Sequence, residues 1–194
     1  MADRQMRQIR SVETKFETRE DDAGRHIVGY FAVFNSTYNI APGMSESIAP
    51  GAFSRTLTDQ PDVRALVNHD TTLVLGRTKA GTLTLREDDH GLFGDVLINP
   101  NDQDAVNAWE RVQRGDVDQC SFGFNIVAEE TDFRDDGAIH WTIKDLDLYE
   151  VSVCTFPAYE ATNVQARAED AKTLRRKKLE AWKIKVKEEL RHGN

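Results

Sequence analysis

Cysteine is scarce in this chain: Cys120 and Cys154 are the only two, and no C-x-x-C spacing joins them. That argues against a disulfide framework and a thiolate zinc site, and it fits a reducing, cytoplasmic setting. No apolar run is long enough to cross a bilayer. The opening residues Met1 to Arg7 have no apolar core behind their charges, so they do not read as a secretory signal. Excess positive charge is lacking as well. The net charge of −8 argues against general nucleic-acid binding by the whole chain. Finally, no alternating strand–helix series appears, which weighs against a doubly wound parallel sheet.

What is present is one domain's worth of sequence with tails. The 194 residues, 39% hydrophobic and 30% charged, can bury a core of useful size. The charge is uneven. From Arg167 onward there are ten Lys or Arg against five Asp or Glu, so this tail is about +5 and the rest about −13. We therefore expect a loose N-terminus at 1–9, a folded domain at 10–165 and a basic tail at 166–194. In that tail Leu174, Leu179, Trp182, Val186 and Leu190 recur on one face of an amphipathic helix.

Within the domain, residues 10–19 alternate weakly, and Asp21-Asp22-Ala23-Gly24 turns the chain into a strand from His26 to Phe34, an opening hairpin. The stretch 35–50, rich in Ser with Pro42 and Gly43, reads as a long loop, and a short helix begins near Pro50. Val63 to Asn68 is a short strand ending at His69. Thr82–Arg86 and Leu92–Ile98 make a second hairpin about Asp88-Asp89-His90-Gly91. Ala105, Val106, Trp109 and Val112 have helical spacing, with Asn101 or Asp102 as cap and Gly115 as stop. Strands follow from Ser121 to about Ala128 and from Ile139 to Cys154, turned at Asp135-Asp136-Gly137 and ended by Pro157. The order predicts a mainly-β α+β fold: an antiparallel, partly closed barrel flanked by helices.

Three isolated polar groups stand at strand ends or in apolar runs: Ser121, His69 and Glu150. Together they supply a nucleophile, a base and an orienting anion. A free serine is a poor nucleophile. A neutral imidazole can take its proton, and a carboxylate on the other ring nitrogen fixes the tautomer and stabilises the imidazolium. Leu146, Leu148 and Glu150 share one face of their strand, so Glu150 points inward and needs a partner such as a protonated histidine. Cys120 faces away from Ser121 by alternation and, like Cys154, reads as core. His26, His90 and His140 read as turn or surface residues, and Trp109 as core.

Several stretches together resemble the prohead proteases of tailed bacteriophages. They are Gly29-Tyr30-Phe31-Ala32-Val33-Phe34-Asn35, Glu46-Ser47-Ile48-Ala49-Pro50-Gly51-Ala52-Phe53, Asn68-His69-Asp70 with Leu75-Gly76-Arg77, Gly81-Thr82-Leu83 with Gly91-Leu92, Arg114-Gly115-Asp116-Val117 leading to Ser121-Phe122-Gly123-Phe124, and Leu148-Tyr149-Glu150-Val151-Ser152-Val153-Cys154 running on to Tyr159. The resemblance covers about residues 10–165. It implies a serine endopeptidase with a herpesvirus-assemblin-like fold and no cofactor or metal. The implied setting is the prohead assembling in the host cytoplasm, where the enzyme cleaves scaffold or an N-terminal extension of the major capsid protein, and itself. By motif it implies His69 as base and Ser121 as nucleophile. Related viral proteases use a second histidine as third member; His90 and His140 lie in no matching motif, so Glu150 keeps that role. Arg77, or the backbone near it, is the guess for the oxyanion donor. Self-association as a dimer or larger is implied; a nucleic-acid or membrane partner is not. The alternatives are a non-catalytic, protease-like assembly protein, and a metal-dependent hydrolase using His69, Asp70 and a distant histidine.

Overall fold

A computed structural model of the chain describes residues 8–13, 16–59, 61–134, 136–156 and 161–192. Residues 1–7, Asp135 and Pro157 lie outside the described set, so the expectations placed on them stand outside it too. The elements are β1 (Gln8–Glu13), β2 (Glu17–Asp21), β3 (Gly24–Val33), β4 (Tyr38–Ala41), β5 (Met44–Ile48), α1 (Ser54–Thr58), β6 (Arg64–Val67), β7 (Asp70–Arg77), β8 (Leu83–Glu87), β9 (Gly91–Leu97), α2 (Gln103–Arg114), β10 (Gln119–Phe133), β11 (Ile139–Cys154) and α3 (Ala161–His192). A short 3-10 turn, Thr78–Ala80, links β7 to β8.

The fold is mainly β with few helices. Its strands form two sheets, one of seven strands and one of four in the order β2-β3-β9-β8. No closed barrel is found among the described strands. The long strands β10 and β11 form the spine of the larger sheet, paired antiparallel from Gln119↔Cys154 to Phe133↔Ile139. β1 lines the free side of β10. Two short strands line the free side of β11, β5 along Ile139–Ile143 and β6 along Glu150–Val153, and both run parallel to it. The sheet is therefore mixed rather than purely antiparallel.

Local chemistry explains most elements. Asp102 caps α2 by accepting from the backbone N–H groups of Asp104 and Ala105, and Gly115 closes it in the left-handed region at φ 83°. Trp109 enters the core and donates its Nε1–H to the carbonyl of His26 at 3.1 Å. Cys120, Phe122 and Phe124 project from one face of β10 into the core, where the two phenyl rings stack at 4.9 Å. Each ring removed from water contributes about 1.5–3 kcal/mol. Gly94 on β9 is required by close approach, since a Cβ there would lie 2.5 Å from the Phe31 ring.

Three further expectations change. The stretch 35–50 is not a plain loop, for it carries the β4–β5 hairpin, and β5 joins the main sheet through β11. Residues 8 and 9 belong to strand β1 rather than to a loose terminus. His26 is buried on β3, its Nδ1 2.6 Å from Asp95 Oδ1, and is not a surface residue.

Residues 5–159 form one compact unit, and the described remainder, α3, belongs to a second. Taken by itself, α3 leaves Leu179, Trp182 and Leu190 of the expected stripe exposed, and i,i+3 ion pairs such as Lys183–Glu180 lie along it.

Candidate active site

The site begins at a two-residue turn. Val67 pairs with Asp70 across the β6–β7 hairpin, leaving Asn68 and His69 as the turn residues, with φ of 51° and 61°. Paired left-handed conformations of this kind match the twist of a hairpin, and Asn and His tolerate them better than most residues. The turn is tied to the end of β11. Asn68 donates its N–H to the Val153 carbonyl at 2.9 Å, and its Oδ1 accepts from Thr155 N at 2.9 Å. These bonds hold the His69 ring over the C-terminal part of β11.

Period-two alternation puts Glu150, Ser152 and Cys154 on one face of β11. All three meet His69. Its Nδ1 lies 2.7 Å from Glu150 Oε1. The Ser152 hydroxyl donates to Glu150 Oε2 at 2.6 Å and accepts from the His69 backbone N–H at 3.3 Å. Cys154 Sγ stands 3.8 Å from His69 Nε2. Glu150 is 2% exposed, so both carboxylate oxygens are held by partners in a place where an unpaired charge would be strongly destabilising. With Nδ1 on the carboxylate, Nε2 is the nitrogen left to exchange a proton with a hydroxyl.

Ser121 lies on the neighbouring strand, directly opposite Ser152 and on the same side of the sheet. It is fully buried, and its hydroxyl donates to the carbonyl of Arg10 on β1 at 2.9 Å. Among the described residues no hydrogen bond joins Ser121 to His69. Of the three residues singled out in the sequence, His69 and Glu150 are in direct contact, and Ser121 is one strand away with its proton directed elsewhere.

Cys154 is buried at the histidine rather than in the apolar core, which corrects the sequence expectation. Burial, aided by the nearby Glu150 carboxylate, pushes its thiol up to about 12. A thiol held neutral is a weak nucleophile. Brief iodoacetamide treatment of the native chain at pH 8 is therefore expected to leave Cys154 unalkylated, as peptide mass mapping would show; rapid labelling at that residue would contradict its assigned state. Cys120 is in the core as expected, its sulfur against the carbonyls of Tyr30 and Phe31.

His140 is half-buried, not a free surface residue. Its two ring nitrogens contact the hydroxyls of Ser45 and Ser47 at 2.8 and 2.9 Å, and burial lowers its pKa. It lies ten positions from Glu150, roughly 30 Å along the strand, so it is not placed to be a third member with His69. His90 lies at the β8–β9 turn, its ring edge-on to Tyr30. Arg77 is committed to Asp62 through bonds of 2.6 and 2.7 Å, which hold the Asp62 carboxyl at about 2. Its side chain is thus engaged on a carboxylate. Among the described residues no group of three or more His, Cys, Asp or Glu side chains is arranged to hold a metal ion. Nothing in the sequence singles out Ser152 as a site residue. The pairing register shifts between Leu148 and Glu150, so Leu146 and Leu148 face the core, whereas Glu150 shares the opposite face with Ser152 and Cys154 and not, as expected, the face of the two leucines.

A buried carboxylate on a histidine, next to a strand that carries a serine, is a peptidase-like arrangement. The caudovirus prohead serine protease family model matches residues 14–177, and the chain belongs to that family. It is 31% identical over 156 residues to the prohead protease of Enterobacteria phage HK97, covering 79% of this chain and 65% of that relative. The chain thus spans less than two thirds of that relative's length. The fold is similar to the capsid assembly protease of bacteriophage T4, with a TM-score of 0.54 at 10% identity, covering 78% of this chain and 98% of that one.

Proposed function

We propose that the chain is a serine endopeptidase of prohead maturation, acting inside the assembling capsid. Its substrates are the scaffold or an N-terminal extension of the major capsid protein, and the protease itself. Ser121 is the nucleophile, His69 the general base and Glu150 the orienting carboxylate. The observation that carries this reading is the 2.7 Å contact between His69 Nδ1 and the buried Glu150 carboxylate. It fixes the tautomer that leaves Nε2 to act on a hydroxyl.

In the reaction, Nε2 takes the Ser121 proton as Oγ bonds to the scissile carbonyl carbon. The imidazolium, stabilised by Glu150, then hands that proton to the leaving amine as the C–N bond breaks. Water, deprotonated by the same nitrogen, cleaves the acyl ester and restores the serine. The proposal includes self-association, because crowding within a shell would raise the local concentration of protease and substrate together.

Co-expression with the major capsid protein tests the function. Intact-mass measurement should find capsid subunits shortened at the N-terminus. The second reading, a protease-like assembly protein without activity, draws on the bond that directs the Ser121 proton to Arg10. It predicts co-assembly with subunits of full length only.

Ser152 gives a finer prediction. Its hydroxyl holds the Glu150 oxygen that His69 does not. A hydrogen bond to a charged group is worth about 1.5–3 kcal/mol, so Ser152→Ala should lower kcat by about ten- to a hundred-fold with KM little changed. Ser152→Thr should recover most of the loss. Steady-state rates on a capsid-derived peptide measure both, and an unchanged kcat in Ser152→Ala would remove the role.

A further inference from the structure

Strand β1 lies antiparallel along β10, with Ser11 opposite Ser121 and Arg10 opposite Phe122. The peptide carbonyl that receives the Ser121 hydroxyl is that of Arg10. The Arg10 side chain leaves the strand on the face away from Ser11 and is 3% exposed. Its Nε and Nη2 donate to the two carboxylate oxygens of Glu46 on β5 at 2.6 and 3.1 Å. The guanidinium carbon lies 5.6 and 5.7 Å from the ring centroids of Tyr38 and Phe124, within cation–π range. A cavity of about 250 Å³, lined in part by Ser36, Thr37, Tyr38 and Glu46, opens beside this pair.

Extended peptides dock on sheets by adding a strand, with main-chain bonds giving affinity and side-chain pockets giving selectivity. β1 already occupies such a place, and a cation from it fills a pocket floored by a buried carboxylate. We infer that β1 holds the position of the substrate strand, and that Arg10 stands where the residue supplying the attacked carbonyl will sit. Substrates then carry lysine or arginine at that residue, with Glu46 as the counter-charge. The inference rests on Ser121 being the nucleophile.

Two physical consequences follow. When β1 withdraws, Glu46 loses the Arg10 guanidinium, and a substrate cation restores the pair, whereas an acidic side chain places two carboxylates together. While β1 stays, the Ser121 proton is directed to Arg10 and the hydroxyl is shielded, so the same strand restrains the enzyme.

The test uses octapeptides with the sequence of Gln8–Lys15, carrying Arg, Lys, Ala or Glu at the position of Arg10, and the full-length chain as wild type, Arg10→Gln, Glu46→Gln and Ser121→Ala. Products are located by mass spectrometry. Cleavage should fall directly after Arg or Lys, with kcat/KM at least about 100-fold above the Ala and Glu peptides, the scale expected when one partner of a buried charge pair is missing. Arg10→Gln, which keeps Glu46 for the substrate, should cleave the basic peptides faster than wild type. Glu46→Gln should lose most of the preference, chiefly through KM. Equal cleavage of all four peptides, preference for Glu, or failure of Arg10→Gln to cleave either basic peptide would overturn the inference. Ser121-dependent cleavage without preference overturns it alone; cleavage that persists in Ser121→Ala brings down the nucleophile assignment with it.

Discussion

Ser121→Ala is expected to lower kcat by ~10⁴-fold or more, the usual consequence of removing the nucleophile from a residue group that acts as a unit. Its effect on stability should be small by comparison. The substitution removes one hydroxyl and its bond to the Arg10 carbonyl, a change of about 1–3 kcal/mol for a buried group. The contrast between the two magnitudes distinguishes a chemical role from a structural one. A serine that merely satisfied the Arg10 carbonyl would lose stability and activity in proportion. Denaturant titration beside single-turnover cleavage measures both, and substantial cleavage by the folded variant would refute the assignment.

Glu150→Gln should be nearly as severe. The amide keeps the shape of the carboxylate but not its charge, and its NH₂ group can face His69 Nδ1. That favours the tautomer with its proton on Nε2, the nitrogen that must accept the serine proton. A change of this kind typically lowers kcat by about 10⁴-fold with the geometry kept. Glu150→Ala goes further, because it also leaves His69 and Ser152 without their shared partner in a buried place. We expect it to destabilise the fold by about 3–5 kcal/mol. If Glu150→Gln kept activity within a few-fold of wild type, the carboxylate would be holding the turn rather than serving the base.

The legible parts of the sequence were those with strong periodicity. Ile139–Cys154 matches β11, and the α2 boundaries follow from Asp102 and Gly115. The β4–β5 hairpin was hidden because its strands are short and polar. Glu46 does not look like a buried strand residue until Arg10 is brought to it from far away in sequence. β7 begins with the polar run Asp70-Thr71-Thr72, which has no apolar alternation to mark a strand. The two parallel partners of β11 follow from packing and could not be read from strand patterns.

The site divides in the same way. The pairing of His69 with Glu150 was legible because an acid inside an apolar run demands a partner and a histidine was available. Cys154 was misplaced because a buried cysteine is usually core, although strict alternation from Glu150 puts it on the histidine side. The engagement of Ser121 by β1 was not legible at all. Residues 10–19 read as one arm of the opening hairpin, but only Glu17–Asp21 pairs with β3, and Gln8–Glu13 lies along β10 through tertiary packing.

The central claim is that the Ser121 hydroxyl is activated by His69. Treating the full-length chain with a fluorophosphonate and mapping the adduct by peptide mass spectrometry tests it directly. The account predicts a single adduct on Ser121, slow to form while β1 covers the hydroxyl, that disappears in His69→Ala. A chain that cleaves its substrate while Ser121 stays unlabelled, or an adduct that persists without His69, would contradict it.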